Sequence, residues 1–527
     1  MQILHNARIY TLDAQRPLAK ALAVRDGRIV AVADELTPLL ALDETAETIN
    51  LDGRVLIPGL TDAHIHLEHY ALALQKVDCE TGSLAECLQR VAARARSTPA
   101  GEWILGHGWN QNAWEGRFPT CADLDQVAPD RPVYLTAKSL HAAWTNSAAL
   151  ERAGIRSDMP DPPGGQIGRD VDGRPNGILF ESAMQLVAEA LPGPGVAKVA
   201  GAIEHALPSL WQLGITGVHD FDRSSCFAAL QWLHAARRLK LRVVKSIPFE
   251  DLPHAAALGL RSGFGDDWLR LGTVKLFADG ALGPRTAAVF QTYVGEPDQY
   301  GMLLLDAEEI IEHGRLAAEN GFPLAIHAIG DRANHEALNA LEQLKACTNA
   351  SGLRHRIEHV QLLHPDDSTR LAALGVIASM QPIHATSDME MADRYWGERA
   401  GLAYAWKTQC DAGTRLAFGS DAPVESPNPW WGLHAAVTRR RADGAPGPDG
   451  WRPEQRISPG DALAAFTSGA AYAAGVEDRL GKLATGYLAD LLVLEIDPFT
   501  CHPDEIKDIR PRGTMIGGEW VWEEGIR

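Results

Sequence analysis

The 527-residue sequence predicts an α/β fold: a (β/α)₈ barrel of the TIM type, a small β-sandwich domain and an inserted cap. Three observations lead to this prediction. Through the middle of the chain, short apolar runs alternate with helical stretches, which is typical of βαβ units and a parallel sheet. Both ends of the chain contain short strand-like runs joined by tight turns. A long segment after the first barrel strand exceeds any ordinary connection between a strand and a helix.

The β-sandwich is predicted to form from both chain termini, residues 1–55 and 476–527. Near the start, Asp26 and Gly27 separate two apolar runs, which is the pattern of a hairpin with a two-residue turn. Residues 513–522, near the other end, resemble a second hairpin. Because the pattern between the two ends differs from both, one small β domain is expected to include both termini.

The barrel is predicted over residues 56–475, in which several apolar runs of strand length have a polar residue at or near their end. Examples are the runs 271–277, 323–327, 354–359 and 415–421. Barrels of this kind carry their active sites where strands give way to loops, so the polar residues at these ends are the candidates for chemistry. A cap rich in Trp, Gly and Pro is predicted at about 67–210, after the first barrel strand, reaching over the barrel mouth.

Composition restricts the class of function. The net charge is −19, from 49 basic and 68 acidic residues, which argues against a nucleic-acid or anionic-membrane partner. No run approaches 18 uninterrupted apolar residues, and the N-terminus lacks the pattern of a signal peptide. The seven cysteines are scattered without a C-x-x-C pair, which suits free thiols in a reducing compartment. We therefore expect a cytoplasmic enzyme with a small-molecule substrate.

The strongest local signal is the pair His64 and His66 at the end of an apolar run, PGLTDAHIH. Residues two apart on a strand point to the same side, so both imidazoles could bind one metal ion. Taken alone, the pair could equally be two solvent-facing histidines. His327, His359 and Asp421 end three later apolar runs, and each alone could be an ordinary polar or turn residue. Their shared position favours a metal site.

Lys275 lies within an apolar run, TVKLF. Burial of a charged lysine is costly, so its pKa should fall and its neutral amine become nucleophilic. A neutral amine can add CO₂ to give a carbamate, whose two oxygens could bridge two cations. An ion pair with a carboxylate such as Asp279 explains the same pattern equally well, so the residues alone leave both interpretations open.

The chain resembles the amidohydrolase superfamily over essentially its whole length, specifically the amidohydrolase-3 group, which includes N-substituted formamide deformylase and YtcJ-like metal-dependent hydrolases. The motifs that carry the resemblance occur in order, among them PGLTDAHIHL, GHGWNQNAW, GGQIGRDVDGRPNGILFE, VKLFADGALGPRTA, IHAIGDRA, RIEHVQLL and GSDAPVESPNP. The resemblance implies a binuclear centre of two divalent ions. One ion would be held by His64, His66 and Asp421, the other by His327 and His359, with carboxylated Lys275 as the bridge. Zn²⁺ is the expected metal, although such ligands also accept Fe²⁺, Mn²⁺ and Co²⁺.

The resemblance also implies hydrolysis of a C–N bond, in an amide, N-formyl group or cyclic amide, by a metal-activated hydroxide. Asp421 would accept a proton and deliver it to the leaving nitrogen. Two alternatives remain. A mononuclear deaminase of the same superfamily would keep the four histidines and the aspartate without a carboxylated lysine, and a non-catalytic regulatory protein could keep the barrel. A homodimer is common among relatives.

Further candidates lie in motifs that the resemblance places near the barrel mouth or under the cap. His107, Trp109, His141 and His384 are expected to contact substrate, while His219 and Asp279 are expected to orient metal ligands. The same motifs also contain Glu181, Asp220 and Arg285. Many relatives have Asp-Gly before the histidine at position 141, where this chain has Ser139-Leu140, so its substrate preference is expected to differ.

Overall fold

A computed structural model describes residues 1–111, 114, 117–138, 142–349 and 352–526. These residues divide into two compact units: Met1–Tyr70 together with Val199–Arg527, and Ala71–Lys198. The strands of the described residues are β1 (Gln2–His5), β2 (Arg8–Tyr10), β3 (Leu18–Ala19), β4 (Ala21–Arg25), β5 (Arg28–Ala33), β6 (Glu47–Asn50), β7 (Val55–Pro58), β8 (Leu60–Ile65), β9 (Val77–Asp78), β10 (Ile104–Trp109), β11 (Val133–Ala137), β12 (Ala142–Thr145), β13 (Gly165–Arg169), β14 (Pro175–Glu181), β15 (Ile215–Asp220), β16 (Arg242–Pro248), β17 (Leu269–Phe277), β18 (Leu324–Ala328), β19 (Arg356–His359), β20 (Ile377–Met380), β21 (Leu416–Phe418), β22 (Leu491–Leu494), β23 (Gly513–Ile516) and β24 (Glu519–Glu523).

The helices lie mainly between strands, as the alternating pattern predicts. In chain order they are α1 (Thr37–Leu40), α2 (Leu67–Ala73), α3 (Leu84–Ser97), α4 (Cys121–Asp125), α5 (Ser147–Arg152), α6 (Gln185–Ala188), α7 (Val196–Gln212), α8 (Ser224–Ala235), α9 (Leu252–Ala257), α10 (Ala307–Glu319), α11 (Asp331–Asn349), α12 (Arg370–Leu374), α13 (Pro382–Trp396), α14 (Trp406–Ala412), α15 (Pro429–Thr438), α16 (Pro459–Ala464) and α17 (Ala470–Ala474). Within the described parts of the chain, none is both long and apolar enough to cross a membrane.

The barrel consists of β8 and β15–β21, which form one eight-stranded sheet in chain order with every pairing parallel. Parallel strands covered on both faces are apolar along their length, and every residue of β15, β19, β20 and β21 is buried. The last strand meets the first, because the backbone N–H of Asp421 donates to the carbonyl of His64 at 2.7 Å. The predicted (β/α)₈ barrel is confirmed.

The terminal strands form the predicted β domain. Two sheets, in the orders β5-β4-β1-β6 and β24-β23-β22-β7-β2-β3, contain strands from both chain ends. Leu56 on β7 pairs with Val493 on β22, so the N-terminal and C-terminal segments share one sheet. Asp26 and Gly27 connect β4 to β5 with φ angles of 51° and 75°, the left-handed conformation that a two-residue hairpin turn requires. Apolar side chains between the sheets form a core of their own.

The second unit, Ala71–Lys198, falls within the segment 67–210 that was predicted to be the cap. Its six-stranded mixed sheet has the order β13-β14-β12-β11-β10-β9 and carries helices α3–α6. Helix α3 begins where the Ser83 side chain accepts the N–H of Glu86, and it buries Cys87, Val91 and Ala95, one turn apart. The role of this unit as a cap over the barrel mouth stays a prediction.

Replacement of Gly419 by alanine should destabilise the barrel where β21 approaches β8. A Cβ at this position would lie 2.4 Å from the backbone nitrogen of His64, and that backbone cannot move without disturbing the closure. We expect Gly419→Ala to cost about 1–3 kcal/mol, as overpacked cores do, and to lower the melting temperature measured by circular dichroism. Gly401→Ala is the control, because a Cβ there meets nothing within 4 Å. Equal melting temperatures for the two variants would contradict this closure.

Candidate metal centre

All six predicted metal ligands lie in the barrel unit, at or just beyond the C-terminal ends of strands. They come from four strands and two of the segments that follow strands: His64 on β8, His66 after it, Lys275 near the end of β17, His327 on β18, His359 at the end of β19 and Asp421 after β21. The carboxyl ends of parallel barrel strands meet at one face, so the alternation of strands and helices is what collects these side chains.

Asp421 joins the first predicted group of ligands. Its Oδ1 lies 3.6 Å from Nε2 of His64 and 3.4 Å from Nε2 of His66. The ligand atoms of His64, His359 and Asp421 all lie within 4.8 Å of one another, a spacing that suits a bound metal ion. His359 and Asp421 have φ angles of 77° and 61°, a left-handed conformation that is uncommon outside glycine and is often found at functional sites.

The second predicted group is His327 and His359, whose ring centroids are 4.5 Å apart. Nε2 of His327 lies 2.9 Å from the carbonyl oxygen of Gly280, to which it donates, so its Nδ1 is the nitrogen left for a metal. Nδ1 of His359 lies 2.8 Å from Oε1 of Gln381, which leaves its Nε2. Burial lowers the pKa of His327 to about 3 and that of His359 well below its usual value. Both imidazoles are therefore neutral at neutral pH, as metal ligands must be.

Carboxylates hold the two histidines of the first group. Nδ1 of His64 lies 2.6 Å from Oε2 of Glu358, and Nδ1 of His66 lies 3.0 Å from Oδ1 of Asp222. Each ring thus has one nitrogen engaged by an acceptor and the other turned towards Asp421. This arrangement, in which a carboxylate fixes the orientation of a metal-binding histidine, is common in metal sites. The donor set and its orientation fit divalent cations.

Lys275 is buried, with 6% of the residue's surface exposed. Its Nζ lies 4.7 Å from the ring centre of Phe221 and 5.0 Å from that of Phe277, and it makes no hydrogen bond or ion pair with any described residue. Burial lowers the pKa of Lys275 to about 8, although the charges of Glu358 and Asp421 act in the opposite direction. The alternative ion pair with Asp279 does not form.

Asp279 instead accepts backbone N–H groups of Ala288, Ile329 and Gly330 at 2.8–3.0 Å. Burial raises its pKa to about 7, and its Oδ1 lies 3.6 Å from Nε2 of His327. These contacts tie the loop after β18 to the segment after β17, and the role of Asp279 in orienting His327 stays a prediction.

His219, the other residue expected to orient a ligand, does not contact one directly. Its Nδ1 accepts from Arg356 at 2.8 Å, and burial lowers its pKa to about 3, so the ring is neutral. Arg356 in turn pairs with Glu358, which holds His64. His219 therefore acts on the site through two intervening side chains.

Three residues that hold the ligands were not singled out from the sequence: Asp222, Glu358 and Gln381. Burial raises the pKa of Asp222, but hydrogen bonds from His66 and His69 outweigh it, and the pKa falls below its usual value. Each residue lies at or just after a strand end, which is a signal that could have found it. Asp220, named as a weaker candidate, pairs with Lys245 at 2.9 Å and accepts the N–H of Leu67.

The residues expected to contact substrate are placed very differently from one another. His384 is buried, with its Nε2 3.8 Å from Oδ2 of Asp421 and without a hydrogen-bond partner in the described structure, which suits a substrate contact. His107 is exposed in the second unit, 2.8 Å from Thr136. Trp109 is fully buried in the core of that unit, and its expected contact with substrate stays a prediction. His141 lies outside the described residues.

The sequence profile of the amidohydrolase family matches residues 47–522, and the chain belongs to that family. Among its relatives, YtcJ of Bacillus subtilis (strain 168) is 34% identical over 533 residues, covering 99% of both chains. N-substituted formamide deformylase of Arthrobacter pascens is 30% identical over 535 residues, covering 98% of this chain and 97% of that one. The crystal structure of an uncharacterized metal-dependent hydrolase from Pyrococcus furiosus superposes with a TM-score of 0.79 at 31% identity, covering 95% and 100% of the two chains.

Replacement of Asp222 by asparagine should weaken metal binding at His66. The amide keeps the volume but cannot accept from both His66 and His69 with the strength of a carboxylate. We expect Asp222→Asn to lower metal affinity about 10- to 100-fold, measured by competition with a chelator. The matched control is Asp266→Asn. Asp266 also pairs with a histidine, His234, at 2.8 Å, but neither residue is a predicted ligand or a partner of one. Unchanged affinity in Asp222→Asn would show that this carboxylate does not support the ligand.

Proposed function

We propose that this chain is a metal-dependent hydrolase that cleaves a C–N bond, in an amide, N-formyl group or cyclic amide, of a small molecule. The observation that carries the proposal is the convergence of four neutral or carboxylate-held histidines, Asp421 and Lys275 at one end of the barrel. A relative with 30% identity over nearly the whole chain is named N-substituted formamide deformylase, which supports a C–N bond as the target.

We propose that two divalent ions, Zn²⁺ in the first instance, bind here. His64, His66 and Asp421 would hold one, and His327 and His359 the other. Lys275 would bridge them as a carbamate formed with CO₂, and its burial without a described partner supports this role. Imidazole and carboxylate donors suit Zn²⁺, and such ions, when bound, acidify water and polarise a carbonyl group.

Asp421 is the proposed catalytic base and acid. Its carboxylate is buried, and burial raises its pKa, with His384 and His66 acting in the opposite direction. A buried carboxylate whose pKa is raised can accept a proton at an Oδ atom and return it to the leaving nitrogen. His384, 3.8 Å away with an unpartnered Nε2, is proposed to bind the carbonyl or its developing negative charge.

We also propose a cytoplasmic enzyme that forms a homodimer and binds neither nucleic acid nor membrane. The net charge of −19 supports the absence of an anionic partner. The six cysteines whose side chains are described are free thiols, as expected in a reducing compartment.

The hydrolase proposal is tested by metal analysis and turnover. Protein purified with Zn²⁺ should contain about two metal ions per chain and hydrolyse members of an amide panel, and a chelator should abolish the activity. Asp421→Asn should reduce kcat about 10²- to 10⁴-fold, as loss of a general acid–base does. Asp411→Asn, at an exposed aspartate paired with Lys407, is the control. A fully metallated wild-type protein without activity on any amide would favour a regulatory role.

The bridging role of Lys275 has its own test. Lys275→Ala should lower the bound metal from about two ions per chain to about one, because the bridging oxygens are lost. Native mass spectrometry of the wild-type protein should show the added mass of one CO₂, and Lys275→Ala should lack it. Lys407→Ala, at an exposed lysine, is the control. One metal ion per wild-type chain, with no added CO₂, would overturn the bridge and favour the mononuclear deaminase.

A further inference from the structure

A pocket of about 430 Å³ opens directly beside the candidate metal centre, and two of the predicted ligands, His66 and Lys275, form part of its wall. Its volume falls in the range of about 300–1,000 Å³ that is typical of small-molecule sites. All of its lining residues belong to the barrel unit. A substrate group in this pocket would therefore be continuous with the reacting bond.

Phe277 lines the pocket and also lies close to two of the predicted metal ligands. Its ring centre lies 5.0 Å from Nζ of Lys275 and 5.2 Å from the ring centroid of His327. Yet 49% of Phe277 is exposed, an unusual degree for an aromatic residue at the end of a buried strand. The exposed part of the ring presents an apolar surface next to the predicted ligands.

The rest of the pocket adds aromatic and aliphatic surface. The rings of Phe249 and His313 stack with their centroids 3.9 Å apart and their planes at 15°, forming one flat wall. Leu304 and Leu305 also line the pocket, and Leu304 is 49% exposed. When a ligand covers apolar surface that was in contact with water inside a concave site, the free energy of the complex is lowered.

The charged groups of the pocket do not select a charged ligand. Arg223 and Glu250 are exposed and of opposite sign, and neither makes a hydrogen bond or ion pair through its side chain with any described residue. The carboxylate of Asp222 is already engaged by His66 and His69. The opposite charges of Arg223 and Glu250 offset one another for a charged ligand, whereas an uncharged group can enter while both exposed side chains stay in water.

We propose that this pocket binds an uncharged apolar substituent of the scissile amide, with an aromatic ring as the best fit. Phe249, Phe277 and Leu304 are then the residues that determine specificity. The inference rests on the proposed function, because it assigns the substituent of the amide that the metal centre would hydrolyse.

The first test measures binding without turnover on the metal-loaded protein. The probes are methyl ketones in which CH₂ replaces the amide N–H, so that they contain no C–N bond to cleave; three are uncharged, and the fourth carries a carboxylate on its benzyl ring. One carries a methyl group, one an isobutyl, one a benzyl and one a carboxybenzyl group in the substituent position. Saturation-transfer NMR should show binding about 10-fold or more tighter for benzyl than for methyl, and a loss for carboxybenzyl. Equal binding across the series would overturn the proposal.

The second test reduces the volume of the pocket by placing a larger side chain in its wall. Leu304→Trp should lower the ratio of kcat/KM for N-benzyl acetamide to kcat/KM for N-methyl acetamide about 10-fold or more, because only the larger substituent needs the filled space. The matched control is Leu42→Trp, at a leucine of similar exposure (51%) in the terminal β domain. A parallel loss for both substrates, or no loss for either, would overturn the assignment of this pocket.

The two proposals fail in different ways. If the metal-loaded wild-type protein hydrolyses no amide but still binds the benzyl ketone in preference to the methyl ketone, the hydrolase proposal fails and the pocket assignment stands. If it hydrolyses amides without regard to the size or charge of the substituent, the hydrolase proposal stands and the pocket assignment fails.

Discussion

The carboxylate of Glu358 is the group on which the orientation of His64, a predicted metal ligand, depends. It is fully buried, so it must be paired and hydrogen-bonded within the protein. Arg356 supplies both, and the same guanidinium also donates to the carbonyl of Ala63 and to Ser379. This one ion pair thus connects β8, β19 and β20 through the barrel interior. The other carboxylate oxygen of Glu358 holds His64. The same ion pair therefore connects strands of the barrel and orients a predicted metal ligand.

The sequence predicts the barrel and the ligand residues because both follow local rules. A run such as TVKLF is apolar on both faces, as a buried parallel strand must be, and the polar residue near its end is therefore conspicuous. The same rule finds His64 and His327. The pairing of these residues with their partners follows no local rule: Glu358 lies 294 residues from His64, and Asp222 lies 156 residues from His66. Their pairing depends on the order of strands around the barrel, which spacing along the chain does not reveal.

Trp109 and Lys275 show what local reasoning about single residues leaves open. Trp109 stands in a distinctive motif, but a large aromatic side chain also stabilises a core, and here it packs against Trp114 and Trp144 in the second unit. For Lys275 the sequence allowed an ion pair with Asp279 as well as a bridging carbamate. The structure instead uses Asp279 on three backbone N–H groups, so the lysine is left facing aromatic rings and the other predicted ligands.

The sheet that joins both chain termini sets an order for assembly during synthesis. Strand β7 leaves the ribosome early, yet its neighbour β22 is made only after the whole barrel has been translated. Until then β7 has an unpaired edge, and such edges are sites of mispairing between chains. The barrel begins with β8, directly after β7, so its first strand is tethered to a sheet that is still incomplete. The pairing of β7 with β22 can therefore form only after all the barrel strands have been translated.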